Sequence, residues 1–261
     1  MGDQTAGVEQ QSRRAWSAAA GDLLLGAVCP GCRRPGWGLC SDCRADLTAR
    51  RPTLVPSRGA APVTMACCVY DTLLSHLVTA HKDHGALGLA PVLAGRLALS
   101  VHALLRCCRW DGPVVLVPVP SAAAAVRRRG YDATATLARL AGRRLRPSHP
   151  VQVRTLLVQR RGVHDQAGLN AAERRANLDG ALRLRRGLVR GWSEGAVMVL
   201  VDDVVTTGSS LAEAARALQQ AGLVLLGAAT VAATPDPRSA RRSRVGDLAA
   251  GGPPSQRPAT G

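Results

Sequence analysis

The feature that most constrains the fold is an apolar run followed by two acidic residues and a short polar turn, at residues 197–210. The run at residues 197–201 is unbroken, as in a parallel strand that is covered on both faces. Asp202 and Asp203 follow it directly. Because open α/β sheets bind ligands at the carboxyl ends of their strands, we expect both carboxylates to lie in a binding site.

The turn after the aspartates is rich in hydroxyl groups and contains a glycine; its residues are Thr206, Thr207, Gly208, Ser209 and Ser210. Hydroxyls and backbone N–H groups bind anions, and the glycine permits a tight turn. Apolar residues at intervals of three and four then predict a helix with a capping box of Ser210 and Glu213 and a C-cap at Gly222. Since the positive end of that helix points into the turn, the segment favours a phosphate monoester as its ligand.

Two carboxylates beside an anion-binding turn would repel a phosphate unless they face another part of the ligand, such as neighbouring hydroxyls. Ribose 5-phosphate offers both groups. The segment resembles the motif of type I phosphoribosyltransferases that binds phosphoribosyl diphosphate (PRPP). The resemblance implies that Asp202 and Asp203 hold the ribose hydroxyls and serve catalysis, while residues 206–210 cradle the 5′-phosphate. The alternative is an ordinary strand, acidic turn and capped helix.

Four of the eight cysteines form two pairs with metal-ligand spacing, Cys29-x-x-Cys32 and Cys40-x-x-Cys43. Four thiolates at these separations can close a tetrahedral, structural Zn²⁺ site, and the prolines and glycines between them supply turns. The alternative is a secreted domain held by disulfides, which would need an export signal. The N-terminal residues contain no convincing signal of that kind, so we expect a zinc module in a reducing cytoplasm.

The composition is basic and poor in aromatic residues, with a formal net charge of +16 and 2% aromatics. A hydrophobic content of 46% is enough for a core. Lys82 is the only lysine among 34 lysine and arginine residues, and this bias indicates a GC-rich genome rather than a functional choice. The positive charge attracts phosphorylated ligands and nucleic acid, unless it forms merely a soluble basic surface.

Strand and helix patterns alternate between residues 63 and 233, which predicts an α/β domain with a parallel sheet flanked by helices. Strands are expected at residues 65–70, 114–119, 181–184, 197–201 and 224–232, and helices at 75–82, 89–107, 133–145 and 211–221. Residues 152–158 fit either a strand or a helix. The apolar stretch at residues 87–105 contains Pro91, Arg96 and His102, so we expect a core helix and no membrane span.

The remaining segments predict a simple domain organisation. Residues 16–50 are expected to form a short helix and the zinc module, and the three prolines of residues 50–62 predict a linker. The polar residues 1–15 and the tail at residues 234–261 are expected to be disordered.

A second candidate anion site follows the strand predicted at residues 114–119, where Arg127, Arg128 and Arg129 precede Gly130. Guanidinium groups bind phosphate oxygens in bidentate fashion, which suits a diphosphate leaving group. The alternative is a solvated basic turn.

The order of these segments resembles that of the ComF family of competence-associated proteins. The segments that carry the resemblance are the four-cysteine module, Lys82-Asp83-His84-Gly85, VPVPS followed by Arg129-Gly130-Tyr131, residues 166–177 and the PRPP-like motif. The resemblance implies that Lys82, Arg129 and Gly130 bind the diphosphate. It also implies that Gln166, Arg174 and Asn177 belong to a mobile loop over the site. At Asp132 and Ala133 the chain departs from the family's Asn-Gln, and a carboxylate is unfavourable beside a diphosphate.

The resemblance implies transfer of a phosphoribosyl group from Mg²⁺-bound PRPP to an unidentified nitrogen nucleophile, in a DNA-uptake or DNA-processing context. The alternative is a non-catalytic accessory protein that binds single-stranded DNA and DNA-uptake proteins through the zinc module and the basic surface. The four Trp and two Tyr are scattered along the sequence, which weakens base stacking as a mode of binding.

Overall fold

The computed structural model of the protein describes residues 28–56, 59–83, 85–159, 180–185 and 195–235. The predicted mobile-loop residues Gln166, Arg174 and Asn177 lie outside this part of the chain. So do residues 1–15, most of the predicted N-terminal helix and nearly all of the predicted tail.

The described helices are α1 Ser41–Ala49, α2 Thr72–Asp83, α3 Ala90–Cys107, α4 Ala123–Arg129, α5 Ala133–Leu145 and α6 Ser209–Gln220. The described strands are β1 Thr53–Val55, β2 Thr64–Val69, β3 Val114–Pro118, β4 Val151–Val153, β5 Leu157–Gln159, β6 Leu182–Leu184, β7 Val197–Val205 and β8 Leu225–Ala233. A short 3₁₀ turn at Leu87–Leu89 leads into α3. The segment that fitted a strand or a helix forms the two strands β4 and β5.

The main sheet has the strand order β1-β2-β8-β7-β3-β4. Its strands are parallel except for the edge strand β1, which is antiparallel to β2. The central strands are almost continuously buried, because helices cover both faces of the sheet. β5 and β6 form a separate antiparallel pair. The expected α/β fold with a mostly parallel sheet is therefore confirmed.

Two layers of side chains form the core. Helices α3 and α5 pack on one face of the sheet through residues such as Leu97, Leu104 and Leu137. Helix α6 packs on the other face through Leu211 and Leu218. Within the described residues, one helical stretch, Leu87–Cys107, has the length and apolar composition of a membrane span, and 56% of its most apolar stretch is buried inside the fold. Its packing against the sheet and α5 is that of a core helix.

The connections from β3 and β7 leave these neighbouring strands in opposite directions. From β3 the chain passes through α5 on one face to β4, and from β7 it passes through α6 on the other face to β8. Pro118 and Val201 are the last paired residues of the two strands, and the amide of the next residue, Val119, donates to the Val201 carbonyl at 2.9 Å. A crevice opens at such a reversal in strand connections, outside the carboxyl ends of the strands, and it is the usual ligand site of open α/β sheets.

Three local predictions differ from the structure. The predicted linker contains the edge strand β1, whose three residues are too short to show a period in the sequence. Strand β7 continues to Val205, so Asp202 and Asp203 lie inside the strand, where Asp202 is opposite Thr230 of β8. The three consecutive arginines lie in helix α4 rather than in a turn, and that helix ends at Gly130, whose φ is 78°.

The predicted capping box of α6 is wrong. The N-cap is Gly208, in the left-handed conformation at φ 77°, and no side chain caps the helix there. Glu213 instead accepts a hydrogen bond from the Leu182 amide at 2.9 Å and forms an ion pair with Arg216 at 2.6 Å. The carboxylate therefore fastens β6 to α6. Gly222 follows the helix with φ 71°, as suits a glycine at the end of a helix.

Candidate functional site

A cavity of about 350 Å³ lies in the crevice between the carboxyl ends of β3 and β7. Lys82 reaches it from the end of α2 and Arg129 from the end of α4. Asp202 and Asp203 of β7 and Ser210 of α6 also line it, together with the hydroxyl residues Ser121 and Thr134. The fold thus brings together side chains from three of the segments that the sequence singled out: the one that carries Lys82, the one that carries Arg129, and the PRPP-like motif.

Lys82 and Asp203 form an ion pair inside the cavity, with Nζ 2.5 Å from Oδ2. Asp203 is 3% exposed, and its Oδ1 accepts a hydrogen bond from the Val204 amide at 2.7 Å. Burial alone would lower the pKa of Lys82, but the charge of Asp203 outweighs it and the pKa is raised. The ammonium group is therefore firmly charged in the cavity.

Asp202 is less buried than its neighbour, and its Oδ1 accepts a hydrogen bond from the Asp203 amide at 2.8 Å. Burial of the carboxyl group, and secondarily the charge of Asp203, raise the pKa of Asp202 well above its usual value near 3.8. Desolvation thus outweighs the opposing effect of Lys82. Ligand groups that donate hydrogen bonds or carry positive charge would favour the ionised form of Asp202.

Arg129 serves as a clamp between two helix ends as well as a cavity wall. Its side chain is only 8% exposed, with Nη1 4.0 Å from the Asp83 carboxylate. Its Nε donates to the Ala125 carbonyl of its own helix at 3.1 Å, and Nη1 donates to the Lys82 carbonyl at 3.2 Å. The guanidinium group thereby holds the backbone of Lys82, whereas Arg127 and Arg128 are exposed.

His81 lies buried beside this clamp, at 1% exposure. Neither ring nitrogen has a hydrogen bond of normal geometry within the described residues. The ring packs at 5.9 Å from the ring of Tyr131, whose hydroxyl donates to the His81 carbonyl. Burial lowers the pKa of His81, so the imidazole is neutral. Sequence reasoning gave this histidine no role, and no spacing signal marks it.

Asp132, the residue that departs from the family pattern, is the N-cap of α5. Its Oδ1 accepts hydrogen bonds from the Ala135 amide and from the Ser121 hydroxyl, each at 3.1 Å. Its negative charge therefore lies at the positive end of a helix and fastens the segment after β3. A structural role thus accounts for a carboxylate near a site proposed for anions.

The hydroxyl-rich turn follows β7 at the rim of the cavity. Thr206 and Thr207 are exposed, and the hydroxyls of Thr207 and Ser209 are 2.9 Å apart. Gly208 is buried at a positive φ that favours glycine. Ser210 lines the cavity itself, so the start of α6 lies beside the cavity.

The four paired cysteines form one cluster. The Sγ atoms of Cys29, Cys32, Cys40 and Cys43 all lie within 4.8 Å of one another. The sulfurs of Cys32 and Cys40 are 3.6 Å apart, close to the value of about 3.8 Å expected for two thiolates on one tetrahedral Zn²⁺ at about 2.3 Å. Burial opposes ionisation of Cys29, but backbone N–H donors, chiefly that of Cys40, lower its pKa to about 6. The cluster fits a structural zinc ion.

The chain is similar in sequence to one protein-domain family and to several bacterial proteins. The family model of the phosphoribosyl transferase domain matches residues 110–248. The chain is 32% identical over 222 residues to the DNA utilization protein YhgH of Salmonella typhimurium, covering 77% of this chain and 94% of that protein. It is 31% identical over 224 residues to the Escherichia coli K12 protein of the same name, with the same coverage. Competence protein F of Haemophilus influenzae is 29% identical over 154 residues, 59% of this chain and 65% of that protein.

Proposed function

We propose, because the chain belongs to the ComF family and carries a phosphoribosyl transferase domain, that its cavity binds PRPP or ribose 5-phosphate. The observation that carries the proposal is the pairing of opposite charges in one cavity. Asp202 and Asp203 lie on one strand, and Lys82 and Arg129 reach the cavity from two helix ends. A ligand with adjacent hydroxyls and a diphosphate complements both sets of groups.

In the proposed complex, the carboxylates accept hydrogen bonds from the ribose hydroxyls, and the hydroxyl-rich turn at residues 206–210 receives the 5′-phosphate. The N–H groups and dipole at the start of α6 favour an anion in that position. Lys82 and Arg129, with Gly130 at the end of α4, bind the diphosphate. Bound Mg²⁺ would neutralise part of the diphosphate charge, as hard cations do with phosphate oxygens.

The reaction proposed for this complex is displacement at C1 of the ribose. A C1–N bond forms to a nitrogen nucleophile, the C1–O bond to the diphosphate breaks, and the pair of electrons leaves with pyrophosphate. The protein would contribute position and charge, because no protein nucleophile is required. The aspartates orient the ribose, and the cations stabilise the departing diphosphate. Gln166, Arg174 and Asn177 are proposed to close over the ligand.

Calorimetric titration with PRPP and Mg²⁺ tests the binding proposal, with ribose 5-phosphate as the shorter ligand. We expect Mg²⁺-dependent binding of PRPP that weakens at least tenfold in Asp202→Asn and in Asp203→Asn, since each loses a charged hydrogen-bond acceptor worth about 1.5–3 kcal/mol. Asp111→Asn is the matched control, because Asp111 is exposed and precedes β3 at the opposite end of that strand. Equal affinity in all four proteins would contradict the proposal.

A second candidate function is binding of single-stranded DNA by the cysteine module, and one exposed aromatic side chain favours it. Trp37 is 56% exposed in the module, and Arg33 and Arg44 are also exposed there. An exposed indole near cations suits base stacking with phosphate contacts. We propose this activity in a cytoplasmic, DNA-uptake context, with DNA-uptake proteins as partners.

Fluorescence anisotropy with a labelled single-stranded oligonucleotide tests this second function. We expect salt-dependent binding that weakens in Trp37→Ala, because the exposed indole would stack on a base, while Trp110→Phe, a change outside the module, leaves it unaltered. If Trp37→Ala binds the oligonucleotide as tightly as Trp110→Phe and wild type do, the cysteine module does not bind DNA through this indole. PRPP turnover without DNA affinity would favour the transferase alone.

A further inference from the structure

We infer that the cysteine module positions Lys82, so that metal binding at the cysteines strengthens diphosphate binding in the cavity. The inference rests on the proposed function of the cavity and adds to it a coupling between two sites. Helix α2 connects them, because its first turns contact the module and its last turn carries Lys82.

The first contact joins the loop between two metal-ligating cysteines to the middle of α2. The Gly31 carbonyl, between Cys29 and Cys32, accepts a hydrogen bond from Nδ1 of His76 at 2.9 Å. Because a carbonyl only accepts, Nδ1 of His76 carries a proton and is the donor. A Cβ on Gly31 would approach Leu73 Cδ1 to 2.6 Å and Cys43 Sγ to 2.9 Å. The loop therefore fits directly against α2.

The second contact joins the end of α1 to the beginning of α2. Arg50 forms ion pairs with Asp46 at 3.0 Å and with Asp71 at 2.8 Å. The other oxygen of Asp71 accepts a hydrogen bond from the Leu74 amide at 3.0 Å and so caps the first turn of α2. The carboxylate that starts the helix is thus also held by the module.

The module and the larger domain share one hydrophobic core. Cys29, Cys43 and Leu47 belong to the same buried cluster as Leu74 and Leu77 of α2. Arg96 of α3 adds a polar link, since its Nη1 donates to the Leu47 carbonyl at 3.1 Å. A change in the module's packing is therefore transmitted through contiguous side chains rather than through a linker.

Lys82 lies six residues after His76, about 9 Å along the helix axis at 1.5 Å per residue. Its backbone is held from the other side by Arg129, and that of His81 by Tyr131. The backbone that carries Lys82 is consequently held by the module at one end of α2 and by the α4 clamp at the other, and Nζ itself is held by Asp203. Loss of the metal releases the Gly31 loop, and α2 then loses one of its two supports.

The experiment compares wild-type protein with His76→Ala and His76→Asn, each loaded with zinc and each after chelation. Asn offers an amide donor near the position of Nδ1, so it restores the hydrogen bond to Gly31. Calorimetry measures affinity for PRPP with Mg²⁺, and hydrogen exchange measures protection of the amides of residues 76–83. His102→Ala is the matched control, since His102 is an exposed histidine on α3 outside module and cavity.

We expect zinc-loaded His76→Ala to bind PRPP about fivefold more weakly than wild type, with lower protection of residues 76–83, and His76→Asn to restore both. Chelation should weaken wild type by a similar factor and His76→Ala by less. Reciprocity then requires PRPP to slow zinc release in wild type.

Unchanged PRPP affinity and unchanged protection in zinc-loaded His76→Ala would overturn the inference, and this variant needs no metal removal. If zinc-loaded wild type fails to bind PRPP, the proposed function fails instead. The exchange measurement then still decides whether the module controls the segment that carries Lys82.

Discussion

Lys82 Nζ lies 2.5 Å from Asp203 Oδ2, so the single lysine of the chain is held by a carboxylate of the cavity it lines. A diphosphate in this cavity would compete with Asp203 for the ammonium group. In the ligand-free protein, the ion pair therefore neutralises the buried charge of Asp203 and contributes to the free energy of unfolding.

Lys82→Met should lower the free energy of unfolding, because it leaves the buried Asp203 without its cation. The loss should be about 1–3 kcal/mol, less than for a fully buried pair, since the lysine side chain is 33% exposed. Urea denaturation measures it. The double variant Lys82→Met/Asp203→Asn should recover most of the lost unfolding free energy but none of the PRPP affinity. A double variant that is no more stable than Lys82→Met would contradict this prediction.

Asp202→Asn should stabilise the ligand-free protein while it weakens PRPP binding. The raised pKa of Asp202 means that, above about pH 4, the unfolded chain has released a proton that the folded protein retains. Folding stability therefore falls as pH rises through this window, and the asparagine variant avoids that loss. Thermal unfolding at pH 4 and pH 7 should show a gain in Tm that is larger at pH 7, about 2–4 °C for each kcal/mol. A gain in Tm that is smaller at pH 7 than at pH 4 would contradict the raised pKa of Asp202.

The buried, neutral His81 should make the protein sensitive to mild acid. Below pH 6.5 the unfolded chain binds a proton that folded His81, with its lowered pKa, does not, so stability falls as pH decreases. Asp203 and the carbonyls of Ala133 and Ala86 oppose this shift in pKa, and Arg129 reinforces it. In His81→Leu the unfolding free energy, measured by denaturant titration between pH 7 and pH 5, should decline less steeply than in wild type. Parallel pH profiles would show that His81 titrates freely.

Asp132→Ala should cost about 0.5–2 kcal/mol, since it removes the N-cap of α5 and the hydrogen bond from Ser121. Asp132→Asn keeps an oxygen that can accept both hydrogen bonds and should be nearly neutral in stability. It also removes a negative charge near the proposed diphosphate site, so calorimetry should show tighter PRPP binding. Weaker binding in the asparagine variant would point to a direct role of the carboxylate in the ligand complex.

The fold was largely predictable because its central strands are continuous apolar runs and α5 and α6 have clear apolar stripes. The cysteine pairs were equally clear, because metal ligands from one module lie close in sequence. Strand β1 was not predictable, since three residues are too few to show an alternation of polar and apolar side chains. The strand forms because it pairs with β2. The capping-box prediction was wrong because the Glu213 carboxylate accepts a hydrogen bond from Leu182 of β6, a contact that local sequence does not reveal.

The candidate site was predictable in its parts but not in its internal contacts. Asp202, Asp203, the turn and the run of arginines that contains Arg129 are marked by local sequence, and Lys82 is marked by the family resemblance. The ion pair to Asp203 and the clamp of Arg129 on the Lys82 carbonyl join residues that are distant in sequence. The contact of His76 with Gly31 spans 45 residues and has no local signal. Only the folded chain brings these groups together.

The most direct test of the account is a crystal structure of the protein grown with PRPP and Mg²⁺. We expect the ribose hydroxyls within hydrogen-bond distance of Asp202 or Asp203, the 5′-phosphate at residues 206–210, and Lys82 moved from Asp203 toward the diphosphate. A cavity left empty at saturating PRPP, or a ligand bound elsewhere with the Lys82–Asp203 pair intact, would contradict the central claim.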